Sequence, residues 1–245
     1  MSSIYRIRPC NGYTIDEIEN HYLWFSRRRG FKDVNDANIG AFLDNNEKLL
    51  QALQKILTPE GIKELREKMD CTGICCFTDR IPTTKERRKF PKSQKGICLE
   101  YNHEVIEAYF KNSHYALTNC FYNVQYFPKP IVFAEDDGYH ILAERTAEGG
   151  FIYRSILELS TTEKGLDTLV KLLLTRINAN FHHQNEKRII LGGRNIPSFE
   201  PDLLGYKVEI PENAIVAIHT YKDTPQEFVN KINSSNPNIE IRPID

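Results

Sequence analysis

The stretch FHHQNEKRIIL, residues 181 to 191, joins a predicted helix to a predicted strand. Residues 162 to 181 are expected to form one long helix, and residues 187 to 191 have the apolar character of a strand. The strand is entered through Gln184 and Glu186, a carboxamide and a carboxylate two residues apart. Helical and strand patterns recur along the chain without regular alternation, which predicts an α+β fold.

The remaining patterns extend this prediction to a single domain of residues 1–245. We expect a mixed, largely antiparallel sheet covered by amphipathic helices, with Thr14, Thr58 and Thr224 as helix caps. Strands are predicted at 2–8, 22–26, 73–77, 96–101, 124–127, 207–210, 214–219 and 238–244, and helices at 15–21, 36–57, 59–69, 103–111, 162–181 and 225–232.

The composition is that of an ordinary soluble globular protein, with 40% hydrophobic and 27% charged residues. No apolar run approaches the roughly 18 residues of a membrane span, and the first residues lack the apolar core of a signal peptide. We therefore predict a cytoplasmic protein without a membrane partner. The six cysteines are expected to be free thiols, and the spacing in CTGICC (71–76) does not suit a metal, so no metal site is predicted.

The net charge of −1 hides an uneven distribution. Residues 1–100 carry 18 Lys and Arg against 14 Asp and Glu, whereas the remainder carries 14 against 19. The basic excess lies in residues 27–32 and 85–95, which are predicted either to face the phosphates of a nucleotide or nucleic acid, or to be solvated loops. The charged loop 78–95 is long for an internal connection, so it is a candidate lid.

Several short motifs follow one another in a recognisable order: IYRIRP, LWFSRRRGFKDVND, CCFTD, QKGICLEY, NVQYF, NEKRII and IPENAIVAIH. This order resembles, over nearly the whole length, a large bacterial family of unknown function. Its members carry Tyr-x-Tyr-Arg, Phe-Ser…Phe-Asn-Asp-Pro, Cys-Phe-Ser, Lys-Gly-x-Cys-x-Glu and Glu-x-Glu-x-Arg motifs. Because some members lie among anti-phage defence genes, the resemblance implies a defence role, with a phage or host protein as a candidate partner.

The chain departs from that family pattern at several positions. The Phe-Asn-Asp-Pro loop becomes residues 31–34, Phe-Lys-Asp-Val, and the first Glu of Glu-x-Glu becomes Gln184. The Trp-x-His-Tyr cluster that precedes Lys-Gly in the family falls on Arg87, Lys89 and Phe90. The resemblance is therefore to a divergent member.

A second resemblance concerns the polar strand entrance. In an extended chain Gln184, Glu186 and Arg188 point to one face. An Arg on the first strand and a Ser on the second strand precede them in the chain. Together, these residues resemble the Arg-Ser-Glu layout of ADP-ribosyltransferases. The resemblance implies NAD as substrate, with Glu186 as the catalytic carboxylate and Gln184 touching the acceptor. The implied nucleotide-binding residues are Tyr5, Arg6 or Arg8, Ser26, Asp33 and Arg188.

The chemistry of such a site is coherent. Cleavage of the nicotinamide–ribose bond builds positive charge on the sugar, which a fixed carboxylate stabilises. Alternatives remain for each residue: Glu186 and Arg188 are equally expected to pair with Arg6 or Arg8 across strands. Asp33 is expected more often to cap a turn. The sequence does not decide whether Glu100 faces the same cleft as Glu186.

Three functional hypotheses follow. The first is an NAD-dependent ADP-ribosyltransferase or an enzyme like an NAD glycohydrolase. The second is a nucleic-acid-binding module that uses the basic clusters with the aromatic residues Phe31, Phe90 and Tyr101. The third is a sensor or interaction protein that retains a degenerate enzyme fold, which the departures from the family pattern favour.

Overall fold

The computed structural model describes residues 2–27, 30, 54, 57–90, 95–112, 121–127, 141–146, 148–192 and 204–244. Within these ranges nine strands form one mixed, largely antiparallel sheet with helices packed on it, which confirms the predicted α+β class. The described residues contain thirteen strands: β1 (Ser3–Arg8), β2 (Tyr22–Arg27), β3 (Gly73–Thr78), β4 (Ile97–Asn102), β5 (Tyr122–Asn123), β6 (Gln125–Phe127), β7 (Ile141–Arg145), β8 (Phe151–Ser155), β9 (Arg176–Asn178), β10 (Glu186–Leu191), β11 (Gly205–Glu209), β12 (Ile215–Thr220) and β13 (Glu240–Pro243). The pairs β6–β9 and β7–β8 form two small separate sheets, and the other nine strands form the main sheet.

The helices lie between these strands in the chain. The helices that begin at residues 12 and 59 have side-chain caps, since Asn11 accepts a hydrogen bond from the Thr14 backbone and Thr58 accepts one from that of Gly61. The described helices are α1 (Gly12–Glu19), α2 (Pro59–Cys71), α3 (Thr84–Arg87), α4 (His103–Lys111), α5 (Ile156–Ser160), α6 (Glu163–Leu174) and α7 (Gln226–Ser235), with 3-10 turns at Ala179–Gln184 and Glu212–Ala214.

Strand β3 is the branch point of the sheet. One edge of β3 pairs with β10 along its whole length. The other edge pairs with β1 near Thr78 and with β2 near Gly73, so the sheet divides there. From β1 it continues through β4 and β12 to β13, and the β12–β13 pair is parallel, with α7 connecting the two strands.

The two faces of the sheet carry different residues. The first face is largely apolar and packs on α1, α4 and α7, with Ile4, Leu99 and Ile218 in its core. Among the described residues, the second face packs on α2 and α6 where β3 and β10 present Ile74 and Ile190. Across β1, β4, β12 and β13 the second face carries polar side chains, which makes it the place to look for chemistry.

Three helix boundaries differ from those predicted. The helix expected over 162–181 ends at Leu174, because the chain then pairs as β9 with β6. Thr14 lies inside α1 and donates to the carbonyl of Pro9, since Asn11 is the cap. Thr224 does not cap α7, because its hydroxyl accepts from the backbone of Tyr221. Apart from Gln54 and Leu57, the helix predicted over 36–57 lies outside the described residues.

The hairpin of β7 and β8 was not predicted. It forms a separate two-stranded sheet and turns near Gly149, whose φ of 85° suits glycine. Helix α5 follows it directly and was not predicted either. Among the described helices, none combines the length and the apolar content needed to cross a membrane.

Candidate functional site

Glu186 and Arg188 form a buried ion pair at the start of β10. The Nε of Arg188 lies 2.7 Å from Oε1 of Glu186, and its second terminal nitrogen lies 3.3 Å from Oε2. Arg188 also donates to the carbonyl of Leu174 at 2.6 Å. Glu186 is 7% exposed and Arg188 is fully buried. The predicted shared face is confirmed, and both carboxylate oxygens are engaged by one guanidinium.

Gln184 does not belong to this row, contrary to the prediction. It ends the 3-10 turn Ala179–Gln184, and Asn185 has a φ of 44°. A left-handed residue breaks the alternation of an extended chain, so the period of two begins only at Glu186. Asn185 is held in place by donating to the Asp79 carboxylate at 2.5 Å.

Arg6 and Arg8 lie on the opposite face of the sheet from Glu186. Tyr5 pairs with Thr78, which pairs with Glu186, so Tyr5 shares the face of Glu186 and its neighbour Arg6 does not. The guanidinium of Arg6 contacts the buried carboxylate of Glu17 and donates to the Trp24 carbonyl at 2.9 Å.

Arg8 also reaches Glu17, at 2.6 Å. Both arginines are therefore engaged beneath α1. Glu186 and Arg188 do not form the cross-strand ion pairs with Arg6 or Arg8 that the sequence allowed. Arg6 and Arg8 pair with Glu17, and Arg188 pairs with Glu186.

Ser26 shares the face of Glu186 but lies towards the other end of β3. Ser26 pairs with Ile74, whereas Glu186 pairs with Thr78. Four residues of strand correspond to about 13 Å. The expected convergence of Arg6 or Arg8, Ser26 and Glu186 in one cleft is thus not seen. Asp33 lies outside the described residues.

A second polar cluster lies on the same face around Glu100 of β4. Oε1 of Glu100 accepts from the Ser3 hydroxyl at 2.6 Å, and Oε2 lies 2.7 Å from Nε2 of His219 and 2.9 Å from Arg242. Glu100 and His219 are each 6% exposed. The Tyr5 ring meets the His219 ring edge-on, with 6.0 Å between centroids. We refer to Ser3, Tyr5, Glu100, His219 and Arg242 as the Glu100 cluster.

The residues of the Glu100 cluster come from four neighbouring strands, on which alternate side chains point to the same face of the sheet. Tyr5 lies directly opposite Glu100 in the β1–β4 pair. His219 pairs with Cys98, two residues from Glu100, and Arg242 pairs with His219. The sequence prediction missed His219 and Arg242. The signal for His219 is a polar residue in a largely apolar strand, whereas Arg242 follows the polar–apolar alternation of Glu240, Ile241 and Arg242.

The cluster fixes the charge of its members. Burial acts to raise the pKa of Glu100, but hydrogen bonds from Ser3 and His219 and the charge of Arg242 outweigh it and lower that pKa. Burial, and then the negative charge of Glu100, raise the pKa of the Tyr5 hydroxyl. Glu100 is therefore an anion at neutral pH, and Tyr5 keeps its proton.

The two carboxylates share one face of the sheet. Register pairs run from Glu186 to Thr78, from Thr78 to Tyr5, and from Tyr5 to Glu100. Three strand spacings place the ends of this row about 14 Å apart. Glu100 therefore does face the same side as Glu186, which the sequence alone did not decide. We call Glu186, Thr78, Tyr5 and Glu100 the polar row.

Two arginines of the basic clusters, among the residues that the structure describes, are buried and engaged by protein groups. Arg27 is buried and donates to the Asp70 carbonyl at 2.7 Å. Arg87 is buried, lies 2.5 Å from the Asp223 carboxylate and stacks over the Tyr221 ring at 4.4 Å. Tyr101 has no exposed surface, so it cannot stack on a base as the nucleic-acid hypothesis required.

The described part of the loop 78–95 is anchored at Arg87 of the capped helix α3. Lys85, Arg88 and Lys89 in the same loop are exposed. A lid in this loop remains a prediction.

In the part of the chain that the structure describes, no three His, Cys, Asp or Glu side chains are grouped as a metal site would require. Comparison of the chain with protein-family models, with curated proteins and with solved structures finds no match.

Proposed function

We propose that the chain is a nucleotide-directed effector that binds NAD along the polar row. The observation that carries the proposal is the presence of two recessed carboxylates on one sheet face, about 14 Å apart. An extended dinucleotide spans such a distance, and each of its riboses offers a diol to one carboxylate. The cytoplasmic location belongs to the proposal through the sequence pattern, and the role in bacterial defence belongs to it through the family resemblance.

The two ends of the row are suited to different tasks. Both oxygens of Glu186 accept hydrogen bonds from Arg188, which leaves a fixed acceptor for a ribose hydroxyl. The Glu100 cluster combines an anion with an imidazole and a phenol, the groups that proton transfer requires. We therefore assign anchoring of one ribose to Glu186 and place the reacting ribose at the Glu100 cluster.

A second candidate is a non-catalytic sensor of a nucleotide or of a phage component. The bidentate Glu186–Arg188 pair favours a sensor, because the guanidinium already neutralises the charge of this carboxylate. A sensor would bind the nucleotide and return it unchanged. Nucleic-acid binding is a weaker candidate, since Arg27 and Arg87 are buried.

The proposal is tested by calorimetric titration of the purified protein with NAD, and by chromatography for released nicotinamide. Glu186→Gln keeps the shape of the side chain but removes its charge, and Glu209→Gln, on an exposed position of β11, is the matched control. We expect Glu186→Gln to weaken NAD binding and Glu209→Gln to bind as the wild type does. The proposal is wrong if the wild-type protein does not bind NAD.

A further inference from the structure

We infer that His219 is the general base of this site and that the acceptor it activates is water, with Glu100 as its positioning residue. The inference rests on the proposed function and goes beyond it, because it names the group that moves the proton and makes the reaction a hydrolysis. It stands on the geometry of four described strands that converge at the Glu100 cluster.

The contacts of Glu100 determine which nitrogen of His219 carries hydrogen. A carboxylate can only accept, and Nε2 of His219 lies 2.7 Å from Oε2 of Glu100. Nε2 therefore donates, and the neutral ring has its lone pair on Nδ1. Ser3 and Arg242 fill the other acceptor positions of Glu100, so the carboxylate is held against rotation. This is the arrangement in which a carboxylate orients an imidazole that acts as a base.

The Nδ1 atom of His219 has no hydrogen-bond partner among the described residues, since the ring is held through Nε2 alone. The residue keeps 6% of its surface exposed. In the proposed site, Nδ1 is the atom that meets the ligand. A water molecule at this atom would be recessed in the sheet face and adjacent to the Tyr5 ring.

The proposed reaction consumes NAD and water. The water oxygen forms a bond to the anomeric carbon of the ribose while the bond from that carbon to the nicotinamide nitrogen breaks. Nicotinamide leaves with the bonding electron pair and becomes neutral. The proton of the water passes to Nδ1 of His219 and then to solvent, so the products are ADP-ribose, nicotinamide and a proton.

The surroundings of His219 set the expected pH dependence. The ionisable groups that face it are Glu100 and Cys98 on β4, Glu240 and Arg242 on β13 and Tyr5 on β1. A base must be neutral to accept a proton, so kcat should fall on acidification. Glu100→Gln removes the negative charge beside the ring, so the pH profile of kcat should differ from that of the wild type.

The experiment compares NAD affinity and kcat for the wild type, His219→Gln and Glu100→Gln. His182→Gln, at an exposed position in a 3-10 turn, is the matched control. We expect His219→Gln to bind NAD with wild-type affinity and to lose kcat by about 10²-fold or more. The glutamine amide can still donate to Glu100, and urea unfolding checks that this variant is folded.

The outcomes separate the two claims. Absence of NAD binding by the wild type overturns the proposed function. Nicotinamide release that His219→Gln leaves unchanged overturns the inference alone, as does binding of NAD without any release. Detection of ADP-ribose on the protein by intact-mass measurement would show that a protein group, and not water, is the acceptor. That result would contradict the hydrolysis. Loss of kcat with retained affinity in His219→Gln, together with a changed pH profile of kcat in Glu100→Gln, supports it.

Discussion

The carboxylates of Glu100 and Glu186 lie on the same face of the sheet, at the two ends of a row whose middle is Thr78 and Tyr5. Glu186 is paired with Arg188 on its own strand, and Glu100 receives hydrogen bonds from three other strands. The row thus combines a charge-compensated end with an end that carries a titratable ring. This asymmetry is the basis for assigning ligand anchoring to one end and chemistry to the other.

Glu17 should be a major contributor to stability. It is the buried carboxylate between Arg6 and Arg8, so Glu17→Gln would leave two guanidinium groups beneath α1 without their counter-ion. Loss of one partner of a buried pair costs roughly 3–5 kcal/mol. Urea unfolding should show a loss of that size for Glu17→Gln and almost none for Glu19→Gln, which is exposed on the same helix. Equal stability of the two variants would contradict the ion-pair account.

Arg87 should hold the loop 78–95 in place. Its guanidinium contacts Asp223 and the Tyr221 ring, whereas the neighbouring Arg88 is largely exposed and reaches the same carboxylate only at 3.4 Å. Arg87→Leu should therefore lower the free energy of unfolding by about 1–3 kcal/mol and speed thermolysin cleavage in this loop. Arg88→Leu should do neither. If thermolysin cleaved the loop of Arg87→Leu no faster than that of the wild type, contacts other than those of Arg87 would hold the loop.

Cys75 and Cys98 should resist alkylation in the folded protein. Burial raises the pKa of the Cys75 thiol to about 12, and it raises the pKa of Cys98 further. Because the thiolate is the reactive form, iodoacetamide at pH 8 should leave both unmodified, and both should react in urea. Peptide mass spectrometry measures this. Native labelling of Cys75 at the rate of a free cysteine would show that the strand opens readily.

Glu86 should titrate at unusually low pH. Hydrogen bonds from Arg80, and then from the backbone and hydroxyl of Thr83, lower its pKa to about 2. Since the folded pKa is depressed, the stabilisation is complete above the unfolded glutamate value of about 4.3 and disappears as the pH falls towards about 2. Carbon-detected NMR titration follows the carboxylate directly. Arg80→Gln should raise this pKa, and an unchanged titration would exclude Arg80 as the main cause.

Most strands were predictable because the alternation that defines them is local. Alternation along β1 puts Ile4, Arg6 and Arg8 on one face, and the predicted alternation along β10 correctly puts Glu186 with Arg188. The end of α6 was not predictable in the same way. Residues 176–178 continue a helical pattern, but they pair with β6, a partner about fifty residues earlier in the chain.

The candidate site was harder to predict than the fold, because it depends on register between distant strands. Nothing in the sequence near Arg6 indicates that its face is opposite to that of Glu186, since this follows from pairing through Thr78. Likewise His219 meets Glu100 only because β12 lies beside β4. The prediction for Gln184 was wrong because Asn185 has a left-handed backbone conformation, which the alternation of side chains in the sequence does not reveal.

The most direct test of the account is nicotinamide release from NAD by the purified protein, with binding measured on the same samples. Wild type, Glu186→Gln and His219→Gln are compared with the controls Glu209→Gln and His182→Gln. The account predicts release by the wild type, weakened NAD binding in Glu186→Gln, and retained binding without release in His219→Gln. Absence of both binding and release in the wild type would contradict it, and the polar row would then be a structural feature or the site of another ligand.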